Sequence, residues 1–499
     1  MKAFLMYKDH DFDLQRKLPS NEQDTIQDLE LNTLFNAMAL GDKFLFEVAK
    51  KVILSGENDP DTILYRQSIL KDCLENPAIV RDIYNIMIEA DEKRKEHWLG
   101  IFDRYISSIL SSSINLLQML VDMLKKLKNI ADDHTDKFDS EGFTNFLVTL
   151  KREFSDEFFT TAQNHLKELK FNHGVLISAE LGKGNEGTNY ILRKPQDKKQ
   201  SWLKKIFAKK LPVYTFYINP RDEGGFRFLS EIKDRGINLT TNTIAQSADH
   251  ILSFFTMLRI ELAFYIGCLN LYEKLKQIGE PTTFPQPLPP SECRHSYKGL
   301  YDICLALTMN QKIVGNDLNC DNKYLTIITG ANQGGKSTFL RGIGLAQLMM
   351  QCGMFVPAES FDGNICRKLF THYKREEDTA MESGKFDEEL NRMNDIVDNL
   401  QPDSMILFNE SFAATNEKEG SEIAKQIVSA LLEKGIKVFF VTHLYEFACG
   451  FYDKKMENVI FLRAERGIDR KRTFKIIEGN PLPTSYGEDL YRKIFGTDN

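Results

Sequence analysis

The spacing of apolar residues predicts a long helical region in the first third of the chain. From about residue 28 to residue 170, apolar residues recur at intervals of three and four, while glycine and proline are rare. This period is typical of amphipathic helices. The first repeat of the pattern consists of Leu29, Leu31, Leu34, Phe35 and Met38.

The pattern changes at residue 174. Short β-prone runs at 175–178 and 213–218 are separated by glycine-rich turn signals at 182–187 and 222–225, which predicts a small mixed module. A long helix is predicted over about 241–278. Five prolines between residues 281 and 290 then predict a linker and the main domain boundary.

Buried strands alternate with helical segments in the last third of the chain, which predicts an α/β sheet. A strand at 324–329 is followed by a helix at 339–352. The other predicted strands are 404–408, 437–442, 459–463 and 473–477. The fold class is therefore multidomain, α and α/β, with the division placed at residues 1–290 and 291–499.

Composition places the chain among ordinary globular proteins and excludes a polycation. Of its 499 residues, 42% are apolar and 27% are charged, and the net charge is −7. Binding to nucleic acid would therefore need a local basic patch. Residues 193–210 supply one, with eight Lys or Arg, a single acidic residue, and Trp202 and Phe207 between them. The candidate DNA-binding residues are Lys198, Lys199, Lys204, Lys205, Lys209 and Lys210.

Two readings of this basic window remain open. Lysines can neutralise phosphates and aromatic rings can stack on bases, but the same composition also suits a solvated loop without a partner.

The apolar stretch 251–271 has the length of a membrane span, but Arg259 and Glu261 lie at its middle. Because charges at that depth are costly in lipid, we expect a buried helix and no membrane partner. The eight cysteines include no C-x-x-C pair, which favours a reducing, cytoplasmic setting.

A glycine-rich segment carries the candidate chemistry. It follows the strand at 324–329, precedes a helix and has the pattern G-x-x-x-x-G-K-S, in which backbone N–H groups cradle a phosphate. Lys336 is expected to neutralise the β- and γ-phosphates of ATP, and Ser337 to offer its hydroxyl to Mg²⁺. The candidate nucleotide-binding residues are Gly330, Ala331, Asn332, Gln333, Gly334, Gly335, Lys336, Ser337 and Thr338.

Two further strands end in polar residues that suit the same site. Asn409 and Glu410 follow the strand at 404–408, and His443 follows the strand at 437–442. Glu410 is the candidate general base or water-orienting residue. Asn409 would hold Mg²⁺ through a water but adds no negative charge, so hydrolysis is expected to be slow. With Lys336, the candidate catalytic residues are Glu410 and His443.

The motif TGANQGGKSTFLR at 329–341 closely resembles the glycine-rich loop of the MutS family of DNA mismatch-repair ATPases. Further segments follow in the family's order, and the likeness spans about residues 290–499. They are VPAE at 356–359, SGKFDEE at 383–389, EKEG at 417–420, THLYE at 442–446 and TSYG at 484–487. IVGND at 313–317 is similar to the segment that packs against adenine, which implies adenine contacts from Ile313, Val314 and Asn316.

The resemblance implies a helical core and lever domain over 1–290, with a clamp-like insertion at about 174–235, followed by a P-loop ATPase domain of the ABC type over 291–499. It implies ATP and Mg²⁺ as ligands and a homodimer in which Ser383 or Gly384 reaches the nucleotide of the partner subunit. It also implies duplex or branched DNA as the partner, bound without sequence specificity.

The chain departs from the family's mismatch readers. Its two Phe-x-Glu triplets, 386–388 and 408–410, lie inside the ATPase region, so no mismatch-reading wedge is expected, and the dimerisation region after the closing motif is expected to be short or absent. Three hypotheses follow: an ATPase that moves levers around DNA, a nucleotide-gated scaffold with little hydrolysis, and a protein that binds structured RNA.

Overall fold

The structure is a computed structural model of the 499-residue chain. It describes residues 2–98, 105–172, 174–194, 213–331, 333–375, 384–466 and 472–481.

The chain divides into two compact units. The first comprises Met1–Ala3, Arg81–Lys137 and Thr144–Arg259, and the second comprises Phe4–Val80, Phe138–Phe143 and Ile260–Asn499. As a division into domains, the boundary at residue 290 stays a prediction.

The described part of the predicted helical region consists of helices joined by short connections. Its helices are α1 (Glu22–Asp28), α2 (Leu31–Ala39), α3 (Lys43–Leu54), α4 (Pro60–Glu75), α5 (Pro77–Trp98), α6 (Ile106–His134), α7 (Glu141–Glu153) and α8 (Asp156–Glu168). The local sequence determines where α3 and α4 begin, because the side chains of Asp42 and Asp59 accept hydrogen bonds from the first backbone N–H groups of these helices. The apolar repeat that begins at Leu29 is buried, as its period predicts.

The mixed module contains a two-stranded antiparallel hairpin, β1 (Ile177–Leu181) and β2 (Gly187–Leu192). Residues 213–218, predicted as a strand, are not a strand and are mostly exposed. The turn predicted at 222–225 is instead a helix start, because the Asp222 carboxylate accepts a hydrogen bond from the backbone N–H of Gly225 at 2.9 Å. Helix α9 (Glu223–Ile278) therefore begins well before residue 241.

The apolar stretch 251–271 lies within α9 and is largely buried, as expected. The Glu261 carboxylate, 1% exposed, accepts hydrogen bonds from the backbone N–H groups of Leu5 and Phe12 at 2.7 and 3.0 Å. Burial raises the pKa of Glu261 to about 7, and Arg259 pairs with Asp91 at 2.7 Å. By length and composition alone, α6 with the turn after it and α9 could each cross a membrane, and 67% of the most apolar window of α9 is buried in the protein.

The second unit contains two sheets and five further helices within its described residues. The strands are β3 (Gln286–Leu288), β4 (His295–Leu300), β5 (Asn316–Asn319), β6 (Leu325–Thr329), β7 (Ser360–Asn364), β8 (Leu369–Tyr373), β9 (Met405–Asn409), β10 (Lys437–Val441), β11 (Val459–Arg466) and β12 (Arg472–Glu478). The helices are α10 (Ile303–Met309), α11 (Lys336–Gln351), α12 (Lys385–Asn399), α13 (Glu417–Glu433) and α14 (Tyr445–Tyr452).

The prediction that the proline-rich segment is a linker is wrong, because the segment contains a paired strand. Residues Gln286–Leu288 form β3 at the edge of a four-stranded sheet of order β3-β7-β4-β5. An edge position tolerates proline because one side of the strand makes no ladder hydrogen bonds. The side-chain amide of Gln67 also donates to the backbone oxygen of Pro285 at 3.0 Å, so this segment is packed.

The larger sheet has six strands in the order β12-β11-β6-β10-β9-β8. All five strands predicted after residue 320 are confirmed, and β8 is an additional edge strand that the sequence pattern did not indicate. The strands from β11 to β8 are parallel, and only β12 is antiparallel to its neighbour. The carboxyl ends of β6, β10 and β9 therefore lie side by side. This brings the glycine-rich loop, the Asn409–Glu410 pair and His443 to one edge of the sheet.

Candidate functional site

The glycine-rich loop joins β6 to α11, and its glycines are required by crowding and by backbone conformation. Gly330 and Gly335 have φ values of 112° and 92°, in the left-handed region that favours glycine. A Cβ on Gly334 would lie 2.7 Å from the Cβ of Ala464 and 2.9 Å from the backbone oxygen of Ala331. The loop is thus tightly turned, as the predicted phosphate cradle requires, and Asn332 lies outside the described residues.

Lys336 is the first residue of α11 and is almost fully buried. Its Nζ donates to the backbone oxygens of Gly330 and Ala331, both at 2.9 Å. Burial lowers the pKa of Lys336 to about 8, against an opposing effect of the nearby Glu410 carboxylate. The lysine lies at the place where a phosphate chain in the loop would need a positive charge.

Ser337 and Asn409 meet at the end of β9. The Ser337 hydroxyl donates to Oδ1 of Asn409 at 2.9 Å. Two neutral oxygens at this distance would suit one side of a hydrated Mg²⁺ ion, which would supply positive charge beside a bound phosphate. Across the described part of the chain, no group of three or more His, Cys, Asp or Glu is placed to hold a metal by itself.

Glu410 and His443 form a direct pair. Nε2 of His443 donates to Oε1 of Glu410 at 2.9 Å, and the backbone N–H of Glu410 donates to Val441 at the end of β10. This hydrogen bond from His443 is the main reason why the pKa of Glu410 lies below its ordinary value, with burial opposing it. Glu410 has φ 54°, an uncommon conformation for this residue that is typical of functional sites. The carboxylate is therefore ionised and oriented.

A cavity of about 390 Å³ opens beside the loop. The three residues predicted to contact adenine line it together with loop residues: Ile313, Val314, Asn316, Gln333, Gly335 and Thr338. Asn316 uses its side-chain oxygen to accept from the backbone N–H of Ile476 at 2.7 Å. The buried hydroxyl of Tyr301, another lining residue, has no hydrogen-bond partner among the described residues.

Sequence reasoning missed Phe474, which lines the same cavity from β12. Its φ of 59° is unusual for a bulky residue, and a Cβ on Gly335 would contact its backbone at 3.4 Å. The β-prone run around Phe474 predicted a strand only. The pairing of β12 with β11 is what brings Phe474 to the loop.

The other predicted site residues are only partly described. Gly384 precedes α12 as its N-cap residue, and Ser383 lies outside the described residues. The six lysines between 198 and 210, with Trp202, Phe207 and the closing motif 484–487, also lie outside them. Immediately after the basic window, Tyr214, Phe216 and Tyr217 are 87%, 81% and 98% exposed.

These observations define a mixed helical and α/β protein with a glycine-rich loop and a polar cluster at the carboxyl edge of a mostly parallel sheet. Two family models match the chain: the MutS2 N-terminal domain over residues 58–278 and MutS domain V over residues 326–492. The chain belongs to the MutS family.

Individual relatives match shorter parts of the chain. The DNA mismatch repair protein MutS of Thermotoga sp. (strain RQ2) is 35% identical over 188 residues, which is 37% of this chain and 24% of the relative. The protein of the same name from Leptospira interrogans is 28% identical over 274 residues, 51% of this chain and 32% of the relative. The matches thus span about a quarter to a third of these relatives.

Proposed function

We propose that the protein binds and hydrolyses ATP at the glycine-rich loop and uses the nucleotide state to control its grip on DNA. One observation carries the proposal: the ends of three adjacent parallel strands bring together Lys336, the Ser337–Asn409 pair and the Glu410–His443 pair. Phosphoryl transfer to water requires a loop that binds phosphate, a positive charge, oxygen ligands for a metal ion and an oriented carboxylate.

Each group has a role in the proposed reaction. The loop N–H groups and Lys336 bind the β- and γ-phosphates, and the cavity lined by Ile313 and Phe474 takes the purine. His443 keeps Glu410 ionised. Glu410 then orients the attacking water or accepts a proton from it. His443 lies within hydrogen-bonding reach of Glu410 and is placed to respond to a γ-phosphate. Mg²⁺, held near Ser337 and Asn409, would supply charge neutralisation of the phosphates.

Equilibrium binding tests the nucleotide part of the proposal. ATP should bind the wild type in the presence of Mg²⁺, and Lys336→Ala should weaken binding by about tenfold or more because a charge-assisted contact is lost. Lys434→Ala, a change at an exposed lysine after α13, is the matched control and should leave affinity unchanged. Equal affinity in all three proteins contradicts the proposal.

The proposed DNA partner is duplex or branched DNA, bound without sequence specificity by a homodimer in a cytoplasmic setting. Family membership and the basic window 193–210 support this, and the exposed rings of Tyr214, Phe216 and Tyr217 add surfaces that stack on bases. Affinity for DNA should fall steeply as salt rises. The double change Lys204→Glu and Lys205→Glu should reduce both the affinity and its salt dependence, whereas Lys434→Glu should change neither.

One observation favours a second candidate, a nucleotide-gated scaffold with little hydrolysis. Asn409 contributes an amide where a carboxylate would add negative charge to the metal shell. In that case the wild type binds ATP without turnover, and Asn409→Asp gains turnover. Turnover in the wild type that is lost in Glu410→Gln excludes this alternative.

A further inference from the structure

His372 is a fully buried histidine in β8 that the nucleotide site described above does not use. Its Nδ1 lies 2.8 Å from the hydroxyl oxygen of Ser411, and its Nε2 lies 3.0 Å from the backbone oxygen of Glu389. Ser411 directly follows Glu410, whereas Glu389 lies in the second turn of α12. The imidazole therefore bridges the loop that carries the candidate base and the helix that follows Gly384.

The protonation state of the ring follows from its partners. The backbone oxygen of Glu389 can only accept a hydrogen bond, so Nε2 carries a proton and donates it. Burial lowers the pKa of His372 to about 4, with Arg392 lowering it and Asp24 raising it to a smaller extent. The ring is therefore neutral at physiological pH, and Nδ1 is an acceptor facing the Ser411 hydroxyl. That hydroxyl has a single proton, which it donates either to Nδ1 or to the backbone oxygen of His372, 2.5 Å away.

A ring contact adds to the hold on the same loop. The ring of His372 stacks on Phe412, with centroids 5.3 Å apart and an angle of 20° between the planes. Burial raises the pKa of the Glu389 carboxyl, and the backbone of Phe412 opposes this shift. Phe412 has φ 61° and, like Glu410, lies in the left-handed region of backbone conformation. The loop therefore holds a backbone conformation that its surroundings must stabilise.

We propose that His372 is a positioning residue that fixes the Glu410 loop to α12, so that the orientation of the candidate base depends on the position of that helix. The proposal deepens the ATPase function and rests on it. His372 is fully buried and acts through Ser411 and Phe412.

Substitutions can separate the two hydrogen bonds. His372→Gln places an amide near the position of Nε2 and can keep the bond to Glu389, whereas His372→Asn places it near Nδ1 and can keep the bond to Ser411. His372→Phe keeps the stacked ring and loses both bonds. We expect His372→Phe to lower kcat for ATP hydrolysis by about 10- to 100-fold, since small misplacements of a catalytic group have effects of this size. The Kd for ATP should stay within about threefold, and each amide variant should recover part of kcat.

The matched control is His295→Phe. His295 is also a fully buried histidine, but it lies in β4, and neither ring nitrogen has a hydrogen-bond partner among the described residues. A merely structural role of His372 would make both variants alike, with lower thermal stability and an unchanged kcat per folded protein.

A double-mutant cycle tests whether His372 acts through Glu410. In a Glu410→Gln background, His372→Phe should cause little further loss of kcat, because the group that it positions is already removed. The proposal is overturned if the loss of kcat in the double variant equals the product of the losses in the two single variants. It is also overturned if His372→Phe leaves kcat unchanged.

Hydrogen exchange of a peptide covering residues 408–416 gives a readout that does not need turnover. His372→Phe should speed exchange of this peptide by about tenfold or more, and His295→Phe should not. Unchanged exchange overturns the positioning role whether or not the wild type hydrolyses ATP. If exchange responds but the wild type shows no turnover, the ATPase proposal has failed and the structural link stands.

Discussion

The buried carboxylate of Glu261 should make the stability of the protein fall as pH rises. Two backbone N–H groups, from Leu5 and Phe12, hold the carboxylate in place, but burial is the larger effect and raises its pKa from 4.5 to about 7. Asp11 raises the pKa further and Arg66 lowers it. Because the folded state keeps this proton to a higher pH than the unfolded state does, unfolding becomes easier between about pH 4.5 and pH 7.

The size of the effect follows from the shift. One pKa unit corresponds to about 1.4 kcal/mol, so Glu261 should lower the free energy of unfolding by about 2–3 kcal/mol between pH 5 and pH 8. The assay is urea unfolding at constant ionic strength across this range, for the wild type and Glu261→Gln. The difference between the two proteins isolates the Glu261 contribution, because every other titrating group is common to both.

Exposed Glu433 supplies the control, since Glu433→Gln should leave the pH dependence as it is in the wild type. Hydrogen exchange of residues 2–14 gives a local readout of the same anchor. If Glu261→Gln and the wild type lose the same free energy from pH 5 to pH 8, the argument that burial governs this carboxylate is refuted.

Three further predictions concern the candidate site and the proposed DNA surface. Gly334→Ala should weaken ATP binding by about tenfold in a fluorescence titration, because the new Cβ would lie 2.7 Å from Ala464, and adding Ala464→Gly should recover part of the loss; a wild-type affinity in the single variant contradicts this. ATP affinity measured by calorimetry should fall above about pH 8, approaching tenfold per pH unit as Lys336 loses its proton, whereas an affinity constant from pH 7 to pH 9.5 shows that this charge is not used. Phe216→Ala with Tyr217→Ala should weaken binding to DNA with unpaired bases by about 1–3 kcal/mol for each lost stack and leave fully paired duplex nearly unaffected; equal losses on both DNAs argue against stacking.

The location of the candidate nucleotide site could be predicted from sequence because its parts are local signals on buried strands. Each of the segments containing Lys336, Glu410 and His443 follows a continuous apolar run, and parallel strands place their carboxyl ends at one edge. The order of the strands then made the segments neighbours, which the sequence pattern alone did not specify.

Other features depend on contacts between distant residues and left no local signal. β8 is a short edge strand, and His372 gains its partners only when β8 lies beside β9 and α12 covers them. Phe474 reaches the cavity through the pairing of β12. In each case a residue with an ordinary local pattern acquires its role from tertiary packing.

The wrong predictions have physical reasons of the same kind. The prolines at 281–290 indicated a linker, yet an edge strand accommodates Pro287. The β-prone run 213–218 is not a strand, and most of its side chains are exposed. Asp222 caps a helix where the two following glycines indicated a turn.

The most direct test of the central claim is ATP turnover by the wild type and by Glu410→Gln at saturating Mg²⁺ and ATP. The account predicts measurable hydrolysis in the wild type and a loss of about 100-fold or more in the variant, the range expected when a general base is removed. The Kd for ATP should remain within about threefold, because Glu410 does not hold the phosphates. Equal turnover in the two proteins, or ATP binding without hydrolysis in the wild type, would contradict the claim that the Glu410–His443 pair drives hydrolysis at the glycine-rich loop.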